Sequence, residues 1–308
     1  MEEMGPMRIS VCIPTYKRMD RLDAVLNDLR CQQLLPDQVV IVDNDIEGAA
    51  RRVVESHIAS GAPFRIDFDI QPLRNIAKTR NRTVALADGD WIAFIDDDER
   101  APDTWLANLC EAARRYQADG VLAPVEPQVP DSAPGWIRRG HFYDFPHQPS
   151  GALVPLHRMR FGNVILRGDI LRQEPGPFDE RYGLMAGEDG DLLVRLVHKG
   201  AKIVWSEEAP VFEPVEPSRL TLRWLLLRAY TGGQEFGRQT MRGKYAPINF
   251  LGQQLFIVRV SLQILIAAIF AFLSWPTGQH RAARWLIRAW ANLGKITALW
   301  GLRTQAYQ

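Results

Sequence analysis

The sequence predicts an α/β chain: a mostly parallel, mixed sheet flanked by helices, then an apolar and amphipathic helical region at the C-terminal end. Three observations carry this. A short β-rich run stands at 8–13, and the apolar runs at 38–42 and 91–95 do not alternate with polar residues, as suits strands covered on both faces; stretches of helical spacing separate them. Strands that alternate with helices imply right-handed βαβ units. Near residue 245 the composition turns apolar, then basic and aromatic.

The elements follow in order. RISVCI at 8–13 reads as a strand ended by Pro14, and 18–33 as a helix with Leu22, Val25, Leu26 and Leu29 on one face. QVVIV at 38–42 is a buried strand that runs into Asp43-Asn44-Asp45, and 48–60 reads as a helix. RIDFDI at 65–70 alternates like a strand, and NIAKTRNRTVALA at 75–87 reads as a helix turned by Asp88-Gly89-Asp90. WIAFI at 91–95 is a strand that delivers Asp96, Asp97 and Asp98. Six prolines between 124 and 150 predict a long irregular segment, and such loops in compact domains are usually functional. A helix is predicted around 187–199 and a strand at 201–205.

Length and composition bound the rest. At about 150 residues per domain, 308 residues give two domains or one large one. Lys and Arg number 37 and Asp and Glu 36, so binding to nucleic acid through bulk charge is not expected. Cys12, Cys31 and Cys110 lie far apart with no CxxC, which excludes a disulfide scaffold and a cysteine zinc site and fits a reducing compartment. The histidines form no HExxH, and no GxSxG, GxGxxG or GxxxxGK[ST] is present. The first residues carry acids where a secretion leader needs bases, so no leader is expected.

Carboxylates at the ends of strands are the main chemical signal, because ligands of open α/β sheets bind outside the carboxyl ends of the strands. Asp43 follows VVIV, and Asp96, Asp97 and Asp98 follow WIAFI. Three adjacent acids repel each other, and a divalent cation would relieve this; Mg²⁺ and Mn²⁺ take hard oxygen ligands, commonly one or two carboxylates plus substrate phosphates. The bland alternative is a solvated turn. A second acidic group, Glu188-Asp189-Gly190-Asp191, follows GLMAG at the start of a helix. The helix dipole favours acids there, but a carboxylate beside a cavity can also act as a general base.

Six segments in order, CIPTYKR, IVDND, RNIAKTRNRTVALADGDWIAFIDDDE, FGNVILRGD, FDERYGLMAGEDGDLLVRLVHKGAKIVW and RLTLRW, resemble a family 2 glycosyltransferase with the GT-A fold over about 8–235. Within it, NIAKTRN, the DDDE form and the apolar tail are similar to bacterial succinoglycan-type exopolysaccharide transferases. The resemblance implies a catalytic domain at 1–235, with a nucleotide-sugar half at about 8–100 and an acceptor half at about 101–235, and a membrane-associating helical region at 236–308. It implies that Pro14, Thr15, Tyr16 and Arg18 form the first nucleotide-contacting loop and that Asp43 bonds the base, typically uracil. Arg80 and Asn81 would flank the diphosphate and ribose, with Asp97 beside the donor. Asp96 and Asp98 match the outer acids of the DxD motif, Asp98 being the better metal ligand. Gly162 and Asn163 match the sugar-pocket element. Asp189 matches the base of the ED motif, with Glu188 its neighbour. Arg223 and Trp224 sit where processive members carry QxxRW; Arg219 stands where Gln would, which favours single-sugar transfer.

The implied reaction is inverting transfer of one sugar from a nucleotide sugar, a UDP-sugar, to a polyprenyl-diphosphate-linked saccharide, with Mg²⁺ or Mn²⁺ as cofactor. A metal at Asp96 and Asp98 would offset charge on the leaving diphosphate, and nearby acids should raise the proton affinity of Asp189, the base. A non-catalytic scaffold subunit of a polysaccharide assembly is the alternative, although it would be free to lose these acids. A nucleotidyltransferase would need a basic Gly-rich loop where Pro14-Thr15-Tyr16 stands.

The tail has two parts. Between 248 and 275 the one charge is Arg259, and the charge-free run at 260–273 is 14 residues, short of the ~20 a span requires. At 282–300, Arg284, Arg288 and Lys295 share a face with Arg281, which predicts an interfacial helix. With basic residues before and after the apolar stretch, 248–275 is expected to be a shallow or re-entrant helical element, both ends cytoplasmic, on the inner membrane.

Overall fold

The computed structural model describes residues 7–182 and 187–302, so most of the GLMAG stretch lies outside the described residues. Elements run β1 (Ile9–Thr15), α1 (Met19–Arg30), β2 (Gln38–Asp43), α2 (Arg51–Ala59), β3 (Arg65–Ile70), α3 (Ile76–Leu86), β4 (Trp91–Phe94) and α4 (Trp105–Arg115). They continue through β5 (Gly120–Leu122), β6 (Val125–Gln128), α5 (Gly135–Arg138), β7 (Val164–Arg167), α6 (Gly168–Leu171), α7 (Glu188–His198), β8 (Ile203–Trp205) and β9 (Val211–Pro214). Three long helices close the described chain: α8 (Leu222–Met241), α9 (Phe250–Ser274) and α10 (Gln279–Leu299).

The main sheet has seven strands in the order β3-β2-β1-β4-β7-β5-β8. Every residue of β1, β2 and β4 is buried, so these runs need no polar alternation. β1 pairs parallel with β2 and β4, and β2 with β3. β7 runs antiparallel between β4 and β5, which makes the sheet mixed. From β1 the chain builds outward through β2 and β3, then returns to place β4 on the other side. Strand order therefore reverses between β1 and β4, and their carboxyl ends flank a switch-point crevice.

The Cα framework divides into two compact units. Met1–Glu126, Phe145–Leu184 and Glu188–Glu213 form the first; Pro127–Asp144, Met185–Gly187 and Pro214–Gln308 form the second. α8 runs unbroken through residues 235 and 236, and two of the crossings between the units fall within β6 and β9. The first unit has its core between the sheet and α1, α2 and α4, with Leu22, Leu26, Ile41, Trp105 and Leu106 fully buried. The proline-rich segment is mostly irregular, as expected, but holds β6 and α5.

In the second unit, Ile137, Tyr143, Val215 and Leu225 form a small core. α9 is one continuous helix of 25 residues, and Phe250–Thr277 is long and apolar enough to cross a membrane by length and composition. Arg259 interrupts the charge-free run and not the helix, so the 14-residue run at 260–273 understates its length.

Candidate functional site

The crevice between β1 and β4 collects the strand-end acids together with the cations that neutralise them. Asp97 accepts from Thr15 Oγ1 at 2.8 Å, Arg18 Nη1 at 2.8 Å and the Tyr16 amide at 3.4 Å. The same Arg18 nitrogen donates to Asp98 Oδ2 at 2.8 Å, and Arg21 Nη1 lies 3.5 Å from that oxygen. Asp96 accepts from Arg80 Nη2 at 3.2 Å. The repulsion expected of three adjacent acids is thus offset by guanidinium groups. Burial still pushes Asp97 up to about 6. Asp96 also sits above its ordinary range through lost solvation, although its side chain is 38% exposed, the most open of the three.

Arg80 ties this end of the sheet to the start of α7. It is buried, and its guanidinium lies 5.4 Å from the Phe161 ring centroid and 6.0 Å from that of Phe178. Those rings pack edge-on with each other and with Phe94. From there Nη1 donates to Glu188 Oε1 at 2.6 Å. Burial and the neighbouring Asp189 charge outweigh Arg80 and raise Glu188 to about 7. Glu188 Oε2 is buried and has no hydrogen-bond partner among the described residues. Asp189 is half-buried and accepts from the Phe161 amide at 3.0 Å and the Gly190 amide at 2.7 Å. The raised proton affinity was expected at Asp189; the carboxyl that burial raises is that of its neighbour Glu188.

The pH dependence of stability follows. A carboxyl raised by folding holds its proton more tightly in the native state than in the unfolded chain. Its stabilising contribution is present in full below about 4.5 and is lost as pH rises through about 7. The loss is about 3 kcal/mol at most. Glu188→Gln is expected to flatten urea-unfolding stability between pH 5 and 8 relative to wild type. An unchanged slope would contradict this assignment.

Several expected site residues turn inward. Both Asp43 oxygens accept backbone amides of the following loop, Asp45 and Ala50, each at 2.9 Å, and the residue has no exposure. In this conformation Asp43 shapes the loop and presents no oxygen to a base. Asn81 exchanges two hydrogen bonds with the Phe178 backbone, at 2.9 and 2.8 Å. Asn163 accepts from Trp105 Nε1 and donates to the carbonyls of Pro124 and Ala209. These two amides position the segments that carry Phe178 and Gly162. Pro14 lies in β1 opposite Val42, and Tyr16 takes Arg74 on its ring at 5.0 Å. Arg223 and Trp224 belong to the second unit, at the start of α8, where Trp224 packs with Tyr143, Arg219 and Arg228.

Glu99 is a residue that the strand-end pattern contains and the role assignment passes over. It is buried, accepts the Asp96 amide at 2.9 Å, and lies well above its ordinary range through burial and the Asp96 charge. It therefore holds the turn that presents Asp96. Gly162 has φ +117, and a Cβ there would stand 2.9 Å from Glu99 Oε1 and 3.2 Å from Val125. Gly162→Ala is expected to cost about 1–3 kcal/mol and several degrees of melting temperature; an unchanged melting temperature would show that the turn adapts.

Among the described residues, no three His, Cys, Asp or Glu side chains converge as a metal-binding group. The donor set still suits Mg²⁺ or Mn²⁺: Asp96 is open to the crevice, Asp98 adjoins it, and such ions take most remaining ligands from phosphate and water.

Comparison with known proteins gives the family and the fold. The profile of glycosyl transferase family 2 matches residues 10–169. The succinoglycan biosynthesis protein ExoM of Rhizobium meliloti (strain 1021) is 31% identical over 299 residues, 96% of this chain and 94% of the relative. The amylovoran biosynthesis glycosyltransferase AmsB of Erwinia amylovora is 29% identical over 211 residues, 65% of this chain and 67% of its own. The mannosyltransferase PcManGT from Pyrobaculum calidifontis, in complex with GDP-Man and Mn²⁺, aligns with TM-score 0.67 at 16% identity over 96% of this chain and 88% of that one. S. aureus TarS 1–349 aligns with TM-score 0.55 at 16% identity over 96% and 92%. The fold is GT-A, with a C-terminal apolar helix that is a candidate for membrane association.

Proposed function

The chain belongs to glycosyltransferase family 2, and from that premise we propose that it moves one sugar from a UDP-sugar to a polyprenyl-diphosphate-linked saccharide in exopolysaccharide biosynthesis. Transfer inverts the anomeric centre, and the enzyme works at the cytoplasmic face of the inner membrane. The observation that carries the reading is the charge arrangement at the switch point. Asp96, Asp97 and Asp98 stand at the end of β4, and Arg80 links Asp96 to Glu188 beside Asp189.

In this reading Thr15, Tyr16 and Arg18 line the donor side. Asp189 takes the proton of the acceptor hydroxyl as that oxygen bonds to C1 and the C1–O bond to the diphosphate breaks. Each Asp189 oxygen already accepts one amide and keeps a second lone pair for that proton. A single displacement gives inversion, as in inverting glycosidases. Asp96 and Asp98 would hold the divalent ion, which supplies charge neutralisation at the diphosphate. Arg18 donates to Asp98 Oδ2 and adds positive charge beside it. The UDP preference rests on the family resemblance, since Asp43 is engaged with its own loop. Exopolysaccharide biosynthesis rests on the likeness to the succinoglycan biosynthesis protein ExoM and the amylovoran biosynthesis glycosyltransferase AmsB.

The test is diphosphate release from a nucleotide sugar by protein stripped with EDTA, followed by return of Mg²⁺ or Mn²⁺. Activity lost on stripping and restored by either ion supports the reading. Full activity in EDTA removes the metal from it.

A further inference from the structure

The second unit is strongly basic. It carries fourteen Lys and Arg against four acids, Asp131, Asp144, Glu216 and Glu235, in a chain whose total is 37 against 36. The excess sits around a helix that is apolar and open. On α9, Leu255, Val258, Leu262, Leu265 and Phe272 are between 54% and 81% exposed. At about 100° per residue they fall within half the helix circumference, opposite the buried Val260, Ala267 and Ala271. One face is therefore packed and the other is bare from end to end.

The packed face meets α10. Phe270 stacks on Trp285 with centroids 4.8 Å apart, and Lys295 feels the charge of Arg259, so α9 and α10 run antiparallel and side by side. α10 in turn lies parallel to α8 at close range: a Cβ on Gly233 would meet the Ala291 carbonyl, and one on Gly237 the Lys295 carbonyl. The three helices thus share one set of levels. If α9 crossed a bilayer, Arg259 would stand about 14 Å from the helix start, near the middle of a roughly 30 Å core. Lys295 and the Arg238–Glu235 ion pair would be carried to similar depth, where charge is costly. Exposed Arg228 and Arg288 on α8 and α10 would face hydrocarbon as well. A helix in the plane of the interface meets none of these costs. Its bare face enters the acyl boundary, and the basic flanks reach anionic headgroups.

We propose that α9 lies flat in the interface of an anionic phospholipid leaflet along its whole length, backed by α8 and α10, and does not cross the bilayer. This deepens the membrane association given under the proposed function and rests on it.

The experiment uses full-length protein with Cys31→Ser as background, because Cys12 and Cys110 are buried. Single Phe250→Cys, Leu262→Cys and Phe272→Cys variants carry an environment-sensitive fluorophore. Each is mixed with vesicles of phosphatidylcholine, with or without phosphatidylglycerol. Binding should require phosphatidylglycerol and fall on the order of tenfold on raising salt. All three labels should report the same shallow depth to lipid-borne quenchers and be reached by a quencher added outside. A deep Leu262 label with one protected end would establish a span and overturn the proposal. Equal binding to neutral vesicles would overturn the anionic preference. Failure to bind vesicles, with dimers in sedimentation, would assign the bare face to a second copy of the chain and also overturn it. Diphosphate release on the same samples is read separately. Its absence alongside flat membrane binding counts against the transferase mechanism and leaves the membrane geometry supported.

Discussion

Asp98→Asn is expected to lower sugar transfer on the order of 10³-fold while the melting temperature stays within a few degrees. The asymmetry follows from the local geometry. Asp98 shares Arg18 Nη1 with Asp97, so Arg18 keeps a carboxylate partner after the substitution. An amide of the same shape keeps an oxygen toward Arg18 and Arg21, so little packing is lost. The charge that would face a metal and diphosphate is lost outright. The check is steady-state transfer with saturating Mn²⁺, alongside thermal melting. Near-normal transfer would remove Asp98 from the proposed mechanism, and a melting temperature lowered as far as activity would make its role structural.

Asp189→Asn is expected to cut turnover by on the order of 10²–10⁴ and leave donor affinity nearly unchanged, as for loss of a general base. The informative comparison is Glu188→Gln. Glu188 is buried against Arg80, raised to about 7, and has an oxygen with no partner among the described residues. Those are features a base can also have. Asp189 is the more accessible of the two and is fixed by two amides. If Glu188→Gln is crippled in turnover while Asp189→Asn is nearly normal, the base is Glu188. Donor affinity, read by calorimetry with the nucleotide alone, separates either outcome from loss of the donor site through movement of the Phe161 loop.

The strands β1, β2 and β4 were legible because each is a short apolar run buried on both faces, and the acids follow directly at their ends. β5 and β7 were not, because three or four residues give no period, and the antiparallel insertion of β7 depends on pairing with strands distant in sequence. α4 was missed although Leu106, Leu109, Cys110 and Ala113 carry a helical spacing; it lies in the stretch between the acids and the prolines. At the site, residue types were legible and partners were not. Asn81 and Asn163 look like ligand contacts in a motif, but their amides are spent on the backbone of residues 178, 124 and 209, which only tertiary placement brings near. The relief of charge repulsion by Arg18, Arg21 and Arg80 is equally non-local. The length of α9 was obscured by Arg259, since a charge ends an apolar run in the sequence without ending a helix.

One measurement bears most directly on the central claim. The purified full-length protein is incubated with a panel of nucleotide sugars, Mg²⁺ or Mn²⁺, and a polyprenyl-diphosphate-linked saccharide, and the product is analysed by mass and by NMR at the new linkage. The result expected is addition of one sugar, from a UDP donor, with configuration opposite to that of the donor, and on the order of 10³-fold less product from the Asp98→Asn protein. A chain that binds donors yet transfers from none would be a scaffold, and a product with retained configuration or many added sugars would contradict single inverting transfer.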